Sequence, residues 1–246
     1  MDTNKYNEIF YSDIFGKKST KYYKIQKKKI EIIMKMFETH RNGRILDVGC
    51  GDGLISSMLA KRTGAKAYGL DISKNSIEKA KTRGVEAAAV NIDRDGIPLP
   101  ENYFDGVLCG DIIEHIYDTE GLIENVRKVL KPNGYVVIST PNIASWYNRF
   151  FLMMGLMPTW IESSSKTFTG NPFIKEGVGH IHAFTKRSLT ELLKLNGFRI
   201  VETKGSPVMG DGTRSKTKEM IWNTVDSAIS RVTSWSSTII VKARKK

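Results

Sequence analysis

An α/β fold, with a doubly wound, mostly parallel sheet and helices on both faces, follows from three features of this sequence. Short apolar runs alternate with helix-patterned segments between residues 42 and 140, the pattern of consecutive βαβ units. A glycine-rich turn, Asp47-Val48-Gly49-Cys50-Gly51-Asp52-Gly53, comes straight after the apolar pair Ile45-Leu46, so a buried strand ends in a tight turn. Acidic residues then recur at the ends of the following apolar runs, and in an open parallel sheet those ends share the edge where ligands sit.

Each element follows from local pattern. Residues 20–39 read as a helix carrying Lys27-Lys28-Lys29, a basic run expected to face solvent. The first strand runs into the glycine turn, and residues 54–62 open a helix whose free N–H groups point toward the same place. A second strand over 66–72 ends in Asp71-Ile72, and a helix over 74–83 is capped by Ser73 or Asp71. Strand three, 85–90, leads to Asp93, and strand four, 104–110, ends at Gly110 before a loop or short helix, Asp111 to His115. Lys131-Pro132-Asn133-Gly134 turns into strand five, 135–139. The connection up to residue 185 is long, which marks an inserted functional segment. A helix over 188–195 stops at Asn196-Gly197 before strand six, 198–203, and a loop over 205–212. Ile221, Val225, Ala228, Ile229, Val232 and Trp235 mark an amphipathic helix, and residues 238–241 form a seventh strand.

Three ligand readings compete at the glycine turn. A plain structural loop is one. A dinucleotide site is another, but its G-x-G-x-x-G pattern places a third glycine where Leu54 stands, and Gly53 comes one residue early. The third is S-adenosylmethionine, which has no pyrophosphate for Asp47 to repel. Asp71, twenty residues after Gly51, can accept hydrogen bonds from both ribose hydroxyls. Asp93 can accept one from an adenine amine.

With these residues in view the chain resembles the class I S-adenosylmethionine-dependent methyltransferases, in the branch of ubiquinone-biosynthesis O-methyltransferases and glycan-pathway methyltransferases. The resemblance lies in residues 45–53, 69–73, 104–116, 130–142 and 179–185, within roughly residues 40–200. It implies a Rossmann-like seven-stranded sheet whose last strand runs antiparallel between the fifth and sixth. It also implies cofactor contacts at Asp47, Gly49, Cys50, Gly51 and Ile72, with Gly49 and Gly51 along the methionine part, Asp71 at the ribose, Asp93 at the adenine and the backbone around Gly110 beside the sulfonium. The product would be S-adenosylhomocysteine.

The length fits one domain over residues 1–246: a helical flank at 1–41, a cofactor-binding half at 42–140 and helical cap insertions at 141–185 and 205–236. Two cysteines give neither a disulfide framework nor a metal-ligand cluster, so no metal is expected. The first residues lack the apolar core of a signal peptide, and a cytoplasmic protein is expected, with peripheral membrane contact open. The net charge of +12 is uneven: +6 over 1–44, −3 over 45–141, +4 over 142–200 and +5 over 201–246. Basic flanks suit an anionic partner, whether nucleic acid, anionic lipid or a phosphorylated sugar. Ile143, Trp146, Tyr147, Phe150, Phe151 and Met154 stand at helical spacing; they can pack on the domain, close over a substrate or lie in a membrane interface.

A sulfonium methyl is already electrophilic, so aligning the acceptor lone pair is the main demand, and a hydroxyl acceptor gains from proton removal. His115, His180 and His182 are the candidate bases, with Asp111 and Glu114 able to hold a histidine or the substrate, while His40 looks structural. The leading expectation is O-methylation of a small or lipid-linked molecule, a sugar or quinone-like phenol. RNA methylation is the alternative, although no Asn-Pro-Pro-Tyr-like signature follows strand four, where Gly110-Asp111-Ile112-Ile113 stands. A non-catalytic cofactor-binding module is the third class. The acceptor and the oligomeric state stay open.

Overall fold

The computed structural model describes residues 19–164, 169–174, 179–208 and 215–246. In chain order its elements are α1 (Ser19–Met36), β1 (Arg44–Val48), α2 (Leu54–Thr63), β2 (Lys66–Asp71), α3 (Lys74–Thr82), β3 (Glu86–Ala89), the single turn α4 (Ile92–Asp95) and β4 (Phe104–Gly110). A 3-10 turn (Ile113–His115) follows, then α5 (Thr119–Val129), β5 (Leu130–Pro141), α6 (Trp146–Met153), α7 (Lys186–Leu195), β6 (Phe198–Ser206), α8 (Lys216–Ile229) and β7 (Thr238–Lys245). The sheet order is β3-β2-β1-β4-β5-β7-β6, and β7 runs antiparallel to both neighbours. Because β1 pairs with β2 on one side and β4 on the other, the strand order reverses there, and the carboxyl ends of β1, β2 and β4 flank one crevice.

Both faces of the sheet are covered, which is why its inner strands are almost continuously apolar. One core joins Val107, Val136, Ile138 and Val241 to Leu122, Val126, Leu189 and Leu193 of α5 and α7. The other joins Ile45, Leu108, Val137 and Ile240 to Ile33, Leu59 and Ala80 of α1, α2 and α3. Phe104 and Phe198 are wholly buried, each removal from water contributing roughly 2–3 kcal/mol.

Local chemistry sets the helix ends. The Ser73 hydroxyl accepts from Ser76 N at 3.3 Å, so Ser73 rather than Asp71 caps α3. Thr185 and Ser188 form a reciprocal capping box on α7. Strand five starts earlier than the turn residues suggest: its register against β4 jumps from Phe104↔Leu130 to Gly106↔Tyr135, and Asn133 turns with φ of 61°. The Lys131–Gly134 turn is therefore an irregularity inside β5. The predicted helix over 20–39 ends at Met36, and part of the predicted 205–212 loop is absorbed into β6 or lies outside the described residues.

The predicted amphipathic helix near residue 221 is inside out. Asp226 is fully buried and accepts hydrogen bonds from Trp146 Nε1 (2.9 Å), Val208 N (2.8 Å) and Ser237 Oγ (2.8 Å). Those donors turn Asp226 inward, and Met220, Ile221 and Val225 face out. The helix ends at Ile229, leaving Val232 and Trp235 in turns. No helix among the described residues is long and apolar enough to cross a membrane.

Candidate active site

Backbone geometry at the end of β1 makes the cofactor side. Gly49 N and Cys50 N both donate to Leu70 O, at 2.7 and 3.0 Å, which folds the turn over the end of β2. Gly49 has φ of 77°, and a Cβ there would meet the Ile112 side chain at 3.1 Å. Gly53, early for the dinucleotide pattern, still does what a third glycine would do. A Cβ on it would lie 2.7 Å from the Ala80 side chain, so its absence lets α2 approach α3. The first N–H of α2 is partly spoken for, since Leu54 N donates to Asp52 Oδ1 at 3.2 Å. Asp52 is also held by Arg83, whose Nη2 reaches Oδ2 at 2.9 Å.

Asp47 and Asp71 are both buried. Asp71 accepts Gly51 N at 2.8 Å and Ser73 N at 2.9 Å, so its carboxylate braces the glycine turn and keeps lone pairs for further donors. Desolvation raises its pKa, against the pull of those backbone bonds. Asp47 accepts from Ser56 Oγ at 2.6 Å, and burial, reinforced by the charge of Asp71, pushes it to about 7. Cys50 meets Gly69 with its side chain, and burial pushes its thiol up, so the thiol stays protonated and packed on the strand. Ile72 is half-buried just past β2, and Gly110 pairs with Ser139 at the end of β4. Asp93 is exposed; its Oδ1 accepts Tyr117 N at 2.8 Å, joining the segment after β3 to the one after the 3-10 turn.

Across the crevice lies a polar cluster drawn from distant segments. Asp111 takes a left-handed conformation, φ 52°, and accepts from Ser139 Oγ at 2.7 Å and from Lys29 Nζ. Lys29 is only 2% exposed, which corrects the expectation of a solvated basic run: Lys27 and Lys28 are exposed, but Lys29 shares the inward face of α1 with Ile33 and Met36. That spacing was the available signal. Burial pushes the Asp111 carboxyl up, but the Lys29 charge and the hydrogen bonds from Lys29 and Ser139 outweigh it and hold Asp111 below the usual range.

Glu114 staples the histidine segment in place, its carbonyl accepting Ile181 N at 2.9 Å and His182 N at 3.1 Å. This brings the His115 and His180 rings to 4.6 Å, edge to face. His180 Nδ1 lies 2.9 Å from Trp160 O and His115 Nδ1 3.1 Å from Gly179 O, so each Nδ1 carries the proton and each Nε2 is an acceptor. Burial lowers His115 to about 4 and shifts His180 the same way. Glu114 is 1% exposed and is pushed up to about 8 by burial and then by the Asp111 charge; its Oε2 accepts from Thr140 and its Oε1 has no hydrogen-bond partner among the described residues. His180 Nε2 stands 3.9 Å from that oxygen. His182 is not in this group: its Nε2 is 3.3 Å from Tyr117 O and its ring lies against Phe184. Glu114, His115 and His180 also offer ligand atoms within 4.8 Å of one another, a donor set that divalent metals accept. The expectation of no metal rested on the cysteines, and spacing along the chain gives no hint that these three residues meet.

A model of the methyltransferase domain family matches residues 22–203. The chain belongs to this family. It is 31% identical over 140 residues to the ubiquinone biosynthesis O-methyltransferase of Proteus mirabilis, covering 54% of this chain and 55% of that protein. To the protein of the same name from Idiomarina loihiensis it is 34% identical over 122 residues, covering 44% and 49%. The match thus spans about half the length of these curated relatives. Two solved structures share the fold. An S-adenosylmethionine-dependent methyltransferase from Mesorhizobium loti has a TM-score of 0.62 at 19% identity, covering 87% of this chain and 96% of that one. Another from Aquifex aeolicus has 0.59 at 15%, covering both chains fully. S-adenosylmethionine is the cofactor of this methyltransferase-family chain, and the residues suit it: two desolvated acids, Asp47 and Asp71, are offset by a ligand that brings positive charge.

Proposed function

We propose that the chain transfers a methyl group to a hydroxyl oxygen of a small or lipid-linked molecule, a sugar or quinone-like phenol. The observation that carries this reading is the His115–His180 pair: two imidazoles with Nδ1 committed to backbone carbonyls and Nε2 in the acceptor form, at the carboxyl end of β4. An amine acceptor has its own lone pair and needs no such base, whereas a hydroxyl gains from one. The relatives named as O-methyltransferases support the same acceptor class.

S-adenosylmethionine supplies an activated methyl when bound and leaves as S-adenosylhomocysteine. The chain's residues bind and orient. Asp71 receives ribose hydroxyls with the lone pairs that Gly51 and Ser73 do not use. Asp93 takes the adenine amine with its second oxygen, and the backbone at Gly49 and Gly110 borders the methionine end. His115 or His180 takes the acceptor proton at Nε2, and the nearby Asp111 charge favours the cation formed.

Labelled S-adenosylmethionine, incubated with a panel of phenols, sugars and polyprenylated phenols, tests the reading. Methyl recovered as an ether supports it, and methyl recovered only on nitrogen or on RNA overturns it. His180→Ala or His115→Ala should then lower kcat by about 100-fold or more while cofactor affinity holds. If neither does, alignment alone drives the reaction. Activity that survives a chelator separates proton transfer from metal assistance.

A further inference from the structure

We propose that the outward side of α8, together with the end of α6, is a docking surface for an anionic lipid bilayer. The first observation is the inversion of α8. A surface helix normally hides its apolar stripe, but here the buried residue is Asp226 while Met220, Ile221 and Val225 are 63%, 56% and 38% exposed. Val232 and Trp235, just past the helix, are exposed as well, and Phe150, Met153 and Met154 of the α6 end are more than half exposed. So many exposed large apolar side chains on two neighbouring helices mark an interaction site.

The two stretches are joined. Trp146 on α6 donates to Asp226 and lies 5.4 Å, ring to ring, from Trp222, while Arg149 sits 4.9 Å over the exposed Trp235. Arg149 and Arg231 are both exposed around the apolar side chains. The sequence stretches in which this face lies, 142–200 and 201–246, carry +4 and +5 overall, in contrast to −3 over residues 45–141. Apolar side chains bordered by arginine and an interfacial tryptophan suit the headgroup boundary of an anionic membrane, and the helices involved lie along it rather than cross it.

Position gives the surface a use. Pro141, where β5 ends before α6, pairs with Thr238, where β7 begins after α8, so both helices attach at the carboxyl edge of the sheet. That is the edge of the glycine turn and the histidine pair. A chain docked by this face holds its site beside the headgroups, where a lipid-linked acceptor resides.

Flotation of the full chain with vesicles tests this directly. Vesicles of equal phosphatidylcholine and phosphatidylglycerol should capture the chain at least tenfold better than phosphatidylcholine alone in low salt, and the preference should fade in high salt. Ile221→Glu with Val225→Glu should lower capture at least tenfold, and Arg149→Glu with Arg231→Glu by about fivefold per residue. Unchanged S-adenosylmethionine affinity in these variants shows that they fold. Absence of capture by either vesicle, or equal capture by both, overturns the proposal. So does a wild-type dimer in sedimentation that the glutamate variants convert to monomer, since the face is then an interface between copies. Vesicle binding needs no acceptor, so its failure leaves the O-methyl transfer reading standing.

Discussion

The two sides of the crevice are built by different means. The cofactor side comes from one short stretch, Asp47 to Ser73, where turn, strand end and cap follow one another along the chain. The histidine side gathers Lys29, Asp111, Glu114, Ser139 and His180 from four separate segments. Their electrostatics differ as well. On the cofactor side two acids are desolvated and shifted up, which suits a cationic ligand; on the other, Asp111 is compensated internally by Lys29. A site that awaits charge from its ligand can be local, whereas one that supplies its own counter-charge needs the tertiary fold.

Breaking the compensated side should cost most. Lys29→Ala strips the ammonium from a buried carboxylate and should lower unfolding free energy by about 3–5 kcal/mol in urea denaturation, and Lys29→Met with Asp111→Leu should recover most of that loss. A wild-type midpoint in Lys29→Ala would show that Asp111 does not depend on the pair. On the cofactor side Gly53→Ala should cost roughly 2–3 kcal/mol, because a residue with φ of 73° gains a Cβ against Ala80 and α2 must move off α3.

Smaller effects sharpen the contrast. Asp71→Ala should weaken S-adenosylmethionine by about 1–3 kcal/mol in calorimetry; unchanged binding would confine Asp71 to bracing Gly51 and Ser73. Asp47 gives a pH signature. Its folded pKa, about 7, lies above the ordinary carboxylate value, so between about pH 4 and 7 the folded chain keeps a proton that the unfolded chain has released. Stability from this group therefore falls as pH rises through that window and is level above it. Asp47→Asn should gain on the order of 1 kcal/mol at pH 8 and nothing at pH 4; a gain equal at both would remove Asp47 as the source.

How much was legible depended on the range of the interaction. The parallel sheet, the antiparallel last strand and the glycine turn were readable because alternation and turn chemistry act over a few residues, or because motif resemblance carried them. His115 and His180 were named, but nothing local could show that the Glu114 carbonyl binds the 181–182 backbone and sets the two rings together. His182 was named with them and turns instead toward Tyr117. Lys29 was hidden inside a lysine run, and the apolar stripe of α8 pointed to a core that Asp226 occupies instead.

By itself, then, the sequence determined the βα order, the cofactor turn and the acids at the strand ends, all products of short-range sterics and hydrogen bonding. Only the tertiary structure decided which charges are buried together, which histidines meet and which apolar face stays outside. Those outcomes depend on desolvation and pairing between segments far apart in the chain, and the pairing exists only once the sheet has closed over them.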